Sequence, residues 1–206
     1  MKSIITIGRQ FGSGGREIGE KLAGKLGIPY YDGKLITRAA KESGFCEELI
    51  ETHDERPTNS FLFNLVMDTY SFGHNAAGLV DMPISQKVFL AQYNTIKQIA
   101  KEGPCVIVGR CADYALADNP DMISVFISAD MEYRVKRIME KRQLTETKAT
   151  DLIVRQDKQR QSYYNYYSSQ KWGMCKTYDL SVNSGILGID GTVEYIRKFV
   201  ELKEQQ

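Results

Sequence analysis

The first twenty residues combine an apolar run, a glycine-rich turn and an amphipathic pattern. Residues 3–7 are rich in isoleucine, and β-branched side chains pack well on a pleated surface, so this run predicts a buried strand. Beyond the turn, apolar residues recur at helical spacing, at Ile18, Leu22, Ala23 and Leu26. Five glycines lie in or beside the turn: Gly8, Gly12, Gly14, Gly15 and Gly19. This arrangement is typical of phosphate binding, because glycines let amides approach an anion and the helix N-terminus is partly positive.

The turn differs from the standard phosphate-binding pattern, G-x-x-x-x-G-K-[ST]. Gly15, Arg16 and Glu17 stand where the lysine and the hydroxyl residue are expected, and the spacing from Gly8 is one residue longer. A guanidinium at Arg16 can bind phosphate oxygens in place of the lysine. The residues predicted to hold nucleotide phosphates are Gly8, Gly12, Ser13, Gly14, Gly15, Arg16 and Glu17. A glycine-rich turn that binds nothing is the alternative.

Four further strand patterns alternate with helical patterns along the chain. Strands are expected at 28–31, 104–108, 122–127 and 178–182, and helices at roughly 33–43, 86–102, 131–142, 149–168 and 190–204. Apolar strands separated by helices predict an α/β fold with a five-stranded parallel sheet and helices on both faces. Ligands of such sheets bind beyond the carboxyl ends of the strands. Gly8, Asp32 and Arg110 are all expected at those ends.

Two of these strand-end residues, with a third nearby, are candidates for chemistry. Asp32 can bind a metal-held water, a hydroxyl or a base edge, or can cap the helix that follows it. Arg38 comes one to two helical turns later and can bind a second phosphate. Arg110 is expected to point into the crevice above the sheet, with a surface position as the alternative.

Two later helices carry clusters of basic residues. Arg134, Arg137 and Lys141 are spaced to share one helix face. A second cluster begins with Arg155, Asp157, Lys158 and Arg160. Residues 131–168 are therefore predicted to form a lid over a transferred phosphate, because phosphoryl transfer depends on positioning and cations. A solvated charged face is the alternative.

A tyrosine-rich run follows the second basic cluster. Its rings, at Tyr163, Tyr164, Tyr166 and Tyr167, are expected to pack the lid against the core, because large aromatic side chains dominate core energetics. Stacking of these rings on a nucleotide base is the less favoured alternative.

Length and charge restrict the remaining possibilities. The 206 residues are enough for one substantial core, so a single domain over 1–206 is predicted, with an inserted acceptor-binding lobe at the irregular residues 45–85. The net charge of +1 gives no case for nucleic acid or an anionic membrane as a partner.

The sequence also bears on the location of the protein and on its capacity to bind a metal. No apolar stretch approaches the ~20 residues that cross a bilayer, and the beginning has no signal-peptide pattern, so a cytoplasmic location is expected. The four cysteines form no C-x-x-C pair and are expected to stay reduced. His53 and His74 are interpreted as loop residues, since a zinc site needs a fuller ligand set.

Taken together, these motifs resemble the cytidylate kinase-like family, within the nucleoside monophosphate kinases of the P-loop superfamily. The resemblance is carried by residues 8–19, by Tyr30-Tyr31-Asp32 with Arg38, by residues 106–110, by the helix of Arg155, Asp157 and Arg160, and by residues 178–184. It implies a three-layer P-loop NTPase fold with a helical lid. It also implies transfer of a γ-phosphoryl group from magnesium ATP to CMP or dCMP, so that ATP, Mg²⁺ and small-molecule nucleotides are the expected ligands.

The resemblance also implies a role for individual residues. The glycine turn and Arg16 would hold ATP. The residues expected to bind the acceptor are Asp32, Arg38, Arg110, Arg155 and Asp157, and the expected catalytic set is Arg16, Asp32, Arg110, Arg134, Arg137 and Arg160. Metal ligands and the oligomeric state do not follow from the sequence. The missing lysine and hydroxyl favour a second hypothesis, a nucleotide-binding regulatory protein with little or no turnover.

Overall fold

The structure of the protein is a computed structural model that describes residues 2–33, 35–36 and 83–205. Almost all of the predicted lobe at 45–85 and most of the predicted helix at 33–43 lie outside the described residues. Arg38, His53 and His74 lie outside them as well.

Five strands form one sheet in the described part of the chain. They are β1 (Ile4–Arg9), β2 (Tyr30–Tyr31), β3 (Val106–Val108), β4 (Met122–Ser128) and β5 (Leu180–Asn183). Their order in the sheet is β2-β3-β1-β4-β5, and every neighbouring pair is parallel. In the central register, Ile5 lies opposite Val106 on one side and Ile123 on the other. The predicted five-stranded parallel sheet is confirmed.

Helices with the following bounds surround the sheet: α1 (Gly15–Leu26), α2 (Ile84–Glu102), α3 (Ala112–Ala115), α4 (Met131–Arg142), α5 (Glu146–Ser168) and α6 (Ser184–Glu204). On one face, Leu22 of α1 and Ile196 of α6 pack with Ile5 and Ile7 of β1. On the other face, Ile96 of α2 and Ala112 of α3 pack with Ile107 of β3. The described residues thus form three layers, as predicted. None of the helices described is long and apolar enough to cross a membrane.

The tyrosine-rich half of α5 is anchored in the core. Tyr163, Tyr164 and Tyr167 are buried and pack in a cluster with Phe89 and Phe126. The rings of Tyr167 and Phe89 are stacked, with centroids 3.9 Å apart and planes inclined by only 6°. The prediction that these tyrosines pack the second basic helix against the core is confirmed.

Candidate functional site

A cleft of about 670 Å³ opens where β1 and β3 end, between the glycine turn and helices α4 and α5. Seven basic side chains line it: Arg9, Arg16, Arg110, Arg137, Lys141, Arg142 and Arg160. Three acidic side chains line it too: Glu17, Glu20 and Asp32. Since the whole chain carries a net charge of only +1, positive charge is concentrated here, and the cleft favours an anionic ligand.

The glycine turn takes its shape from two left-handed residues. Gly12 has a φ of 85° and Gly14 a φ of 82°, a conformation that glycine adopts without steric cost. Between them, Ser13 is fully buried. Its hydroxyl donates to the carbonyl of Gln10 at 2.9 Å, and its own carbonyl accepts from the Ser184 hydroxyl at 2.6 Å. The Ser13 side chain therefore shapes the turn from inside.

The N-terminus of α1 forms part of the cleft wall. Gly14 is the N-cap of this helix, and Gly14 and Gly15 both line the cleft. The first amides of a helix have no acceptor within it and carry a partial positive charge. This wall is therefore suited to phosphate oxygens.

Arg134 and Asp157 hold the turn from behind. The backbone N–H of Phe11 donates to Asp157 Oδ1 at 2.7 Å, and Arg134 Nη1 donates to the Phe11 carbonyl at 3.3 Å. Arg134 and Asp157 also form an ion pair at 2.5 Å, with side chains only 7% and 17% exposed. Both were predicted to contact ligand. Neither Arg134 nor Asp157 is among the described residues that line the cleft. Their contacts with the backbone of Phe11 favour a role in positioning the turn.

Arg16 and Asp32 meet at the end of β2. The Arg16 guanidinium lies 2.8 Å from Asp32 Oδ2, and Asp32 Oδ1 accepts from the backbone N–H of Leu35 at 3.1 Å. Asp32 is buried, whereas the Arg16 side chain is largely exposed. Asp32 thus caps the turn that follows β2, which is one of the roles predicted for it. It also lines the cleft, with the cation of Arg16 beside it.

Glu17 joins α1 to α4, the first of the two basic helices. Its carboxylate accepts from Arg137 Nη2 and lies 3.7 Å from Lys141 Nζ. Burial raises the pKa of Glu17, but the hydrogen bond from Arg137 and the charges of Arg137 and Lys141 together lower it by more. The pKa of Glu17 therefore lies below its ordinary value. The negative charge that replaces the usual hydroxyl is therefore balanced by two cations of α4.

The Arg110 side chain is directed by an unusual loop. Gly109, Arg110 and Cys111 have φ values of 85°, 57° and 52°, so three consecutive residues are left-handed. This conformation costs a non-glycine residue roughly 1–3 kcal/mol and occurs most often at functional sites. A Cβ atom on Gly33 would lie 2.5 Å from Arg110 Nη2. The Arg110 guanidinium therefore lies beside the end of β2, near Asp32.

The structure thus gathers most of the sequence-predicted residues at one cleft. Gly12, Gly14, Gly15, Arg16, Glu17, Asp32, Arg110, Arg137 and Arg160 line it. Gly8 lies at the end of β1, where a Cβ atom would approach Phe126 and Tyr178. Arg155 is exposed on α5 and is not among the described residues that line the cleft. Arg38 lies outside the described residues.

Sequence reasoning missed two of the seven basic side chains that line the cleft. Arg9 ends β1 and packs against Gly109, but its place in the glycine motif gave it no separate role. Arg142 ends α4 and was left out of the basic face, because it does not fit the spacing of three and four residues that joins Arg134, Arg137 and Lys141. The useful signal for Arg142 was its position one residue after Lys141, at the end of the same basic helix.

Comparisons with known proteins agree with this architecture. A family model described as the cytidylate kinase-like family matches residues 4–186. A cytidylate kinase of Archaeoglobus fulgidus is 29% identical in an alignment 207 residues long. The alignment covers 97% of this chain and 96% of that protein.

Solved structures give the same picture of the fold. An uncharacterized protein from Eubacterium ventriosum has a TM-score of 0.74 and 31% identity, covering 97% of this chain and 99% of that one. Shikimate kinase from Bacteroides thetaiotaomicron has a TM-score of 0.52 and 13% identity over 98% of this chain and 99% of that one, a likeness of fold alone. The predicted P-loop kinase fold is confirmed.

Proposed function

The chain belongs to the cytidylate kinase-like family, and on that premise we propose that it transfers the γ-phosphoryl group of ATP to a nucleoside monophosphate, CMP or dCMP. The observation that carries the proposal is the meeting of Arg16, Asp32 and Arg110 at one end of a strongly cationic cleft. An anionic acceptor bound there lies next to a turn whose amides suit the phosphates of a donor.

The two ends of the cleft take different parts in the proposed reaction. The glycine turn, Arg137 and Arg160 hold the triphosphate, and their charges offset the negative charge that spreads over the transferred group. Arg110 and Asp32 bind the acceptor, with Arg38 as a further acceptor-binding residue. Arg16 follows the glycine turn in α1 and pairs with Asp32 at the acceptor end, so its guanidinium can contact donor and acceptor phosphates. Arg155, on the exposed face of α5, stays a candidate for acceptor binding.

Magnesium fits this arrangement as an ion that arrives with ATP. The described residues contain no group of three or more histidine, cysteine, aspartate or glutamate side chains that could hold a metal. Magnesium commonly binds one or two carboxylates, several waters and the phosphates of its substrate. Glu17, Glu20 and Asp32 line the cleft and are the described carboxylates able to contact it. When bound, the ion would neutralise charge on the transferred group.

A second candidate function is nucleotide binding without turnover, in a regulatory protein. The observation that favours it is the loop itself: Ser13 donates its hydroxyl to the Gln10 carbonyl, and Glu17 stands where a metal-binding hydroxyl is expected. Losing one preorganised contact to a transition state costs about 3–4 kcal/mol, or 10²–10³ in rate. The acceptor-side arginines favour the kinase.

Magnesium-dependent ADP release with a panel of acceptors separates the two functions. We expect CMP or dCMP to stimulate ADP release, and we expect Arg110→Ala to lower kcat/KM for the acceptor on the order of 10²-fold. Lys136→Gln is the matched control, because Lys136 is an exposed cation of α4 outside the proposed site. ATP binding by calorimetry together with no ADP release for any nucleoside monophosphate would overturn the kinase proposal and support the regulatory one.

A further inference from the structure

Phe11 lies in the glycine turn that is one residue longer than the standard pattern, and two cations lie over its ring. The guanidinium carbon of Arg142 is 5.5 Å from the ring centroid, and that of Arg160 is 5.4 Å from it. Arg142 ends α4, and Arg160 belongs to α5. All three side chains line the cationic cleft.

The ring is held in place through its own backbone and its apolar neighbours. The N–H of Phe11 donates to Asp157, and its carbonyl accepts from Arg134. The ring also packs against the buried cluster between α4 and α5 that contains Val135, Ile138, Ala149 and Ile153. Contacts with both α4 and α5 therefore hold Phe11 in place.

Two guanidinium groups that face one cleft repel each other unless something offsets their charge. An aromatic ring presents negative electrostatic potential on its faces, so a cation within about 6 Å of the centroid is attracted to it. Arg160 is further tied by its Nη1, which donates to the Arg9 carbonyl at 3.2 Å. The ring thus keeps two cations at the same wall before any anion arrives.

We propose that Phe11 is a positioning residue that holds Arg142 and Arg160 in the cleft, and that Arg142 supplies a contact to the polyphosphate. This inference rests on the proposed function only in its choice of a nucleoside triphosphate as the ligand. It assigns a role to Arg142, which sequence reasoning missed.

The test measures the binding of ATP and of inorganic pyrophosphate by calorimetry. It compares variants that keep an aromatic ring at position 11 with a variant that removes it. Phe11→Leu keeps an apolar side chain and removes the π system, so we expect it to weaken binding of both ligands about 5- to 30-fold. Phe11→Tyr and Phe11→Trp keep a ring and should stay within about 2-fold of the wild type. Arg142→Gln should weaken binding about 10-fold, and Lys136→Gln on the same helix should leave it unchanged.

A double-mutant cycle separates positioning from packing. If Phe11 acts through Arg142, the variant with both Phe11→Leu and Arg142→Gln binds pyrophosphate more tightly than the product of the two single effects predicts. The KM for ATP should rise in Phe11→Leu while the KM for the acceptor stays constant. Independent effects in the cycle, or wild-type pyrophosphate affinity in a folded Phe11→Leu variant, would overturn the inference.

The outcomes also distinguish this inference from the proposed function. A wild type that binds ATP and pyrophosphate but releases no ADP overturns the kinase and leaves the role of Phe11 intact. Phosphoryl transfer with unchanged kinetics in Phe11→Leu overturns the inference alone. Should Phe11→Leu fail to fold, Arg142→Gln and Arg142→Lys decide, and wild-type pyrophosphate affinity in Arg142→Gln overturns the proposal.

Discussion

Asp113 is an acid in an enclosed space beside the cleft, and the proposed chemistry does not use it. It lines a cavity of about 30 Å³ together with Thr6 and Trp172, and its Oδ2 accepts from the Tyr164 hydroxyl at 2.6 Å. Burial raises the pKa of Asp113 more than the hydrogen bonds from Tyr164 and the backbone lower it. Asp113 therefore affects stability through its protonation.

The raised pKa predicts a pH-dependent effect of Asp113→Asn. Stability from a carboxyl group with a raised pKa is fully present below its ordinary pKa and is lost as the pH rises through the folded-state value. Asparagine keeps an oxygen for Tyr164 and does not titrate. The free energy of unfolding of Asp113→Asn, relative to the wild type, should thus increase as the pH rises above the ordinary value of 3.8.

Urea unfolding at a series of pH values measures this difference directly. Asp118→Asn is the matched control, because Asp118 is an exposed acid on the same connection. A difference for Asp113→Asn that stays constant between pH 4 and pH 8 contradicts the prediction.

The positions of single site residues could be predicted where a local pattern, such as the end of a strand, determines them. Asp32 and Arg110 follow apolar strands, and a parallel sheet brings such strand ends together whatever the details of packing. Arg134 was grouped with Arg137 because their spacing puts them on one helix face. Helical spacing gives the face of a residue and not its depth. The burial of Arg134 depends on Asp157, which is 23 residues away, so its position behind the turn could not be predicted.

At the scale of elements, long periodic segments were predicted better than their ends. The bounds of α4 agree with the predicted 131–142. The helix predicted at roughly 190–204 agrees with the part of α6 that follows Gly188. The turn before Gly188 was missed; Asn183 caps it by accepting from Gly185 N–H at 2.9 Å. Gly188, with a φ of 65° and a ψ of 180°, then breaks the helical pattern. The four residues of α3 are too few to give a period.

The contact between α1 and α4 predicts an effect of Glu17→Gln on phosphate binding. Glu17 pairs with Arg137 and lies near Lys141 at the wall of the cleft. Removing its charge leaves both cations to the ligand, and two unit charges 4 Å apart in water interact by about 1 kcal/mol. We therefore expect Glu17→Gln to bind inorganic pyrophosphate about 5-fold more tightly in the absence of magnesium.

Calorimetry with and without magnesium checks this and tests a second role. Glu140→Gln is the control, because Glu140 is an exposed acid of α4 and its loss should leave the affinity unchanged. Equal or weaker pyrophosphate binding in Glu17→Gln contradicts the prediction. Tighter pyrophosphate binding combined with weaker binding of magnesium ATP would indicate that Glu17 contacts the ion.

At the scale of the whole molecule, the strand order was beyond sequence reasoning. Apolar patterns predict which segments are strands, but the order β2-β3-β1-β4-β5 depends on the side of β1 to which each crossover returns. The cleft follows from that order, because β3 lies between β1 and β2 and brings Arg110 next to both the glycine turn and Asp32. A parallel sheet was therefore predictable, whereas the neighbours of each strand end were not.

A ligand that binds only the folded chain must stabilise the whole molecule, and the charge of the cleft fixes how that effect responds to salt. At a concentration 100 times its Kd, ATP adds about 2.7 kcal/mol, which for a domain of this size raises the Tm by roughly 5–11 °C. Pyrophosphate should also raise the Tm, whereas cytidine, which lacks phosphate, should not. Because the cleft is cationic, both shifts should shrink between 0.05 and 0.5 M salt. Scanning calorimetry measures these shifts, and a shift with ATP that is independent of salt contradicts binding through the arginines of the cleft.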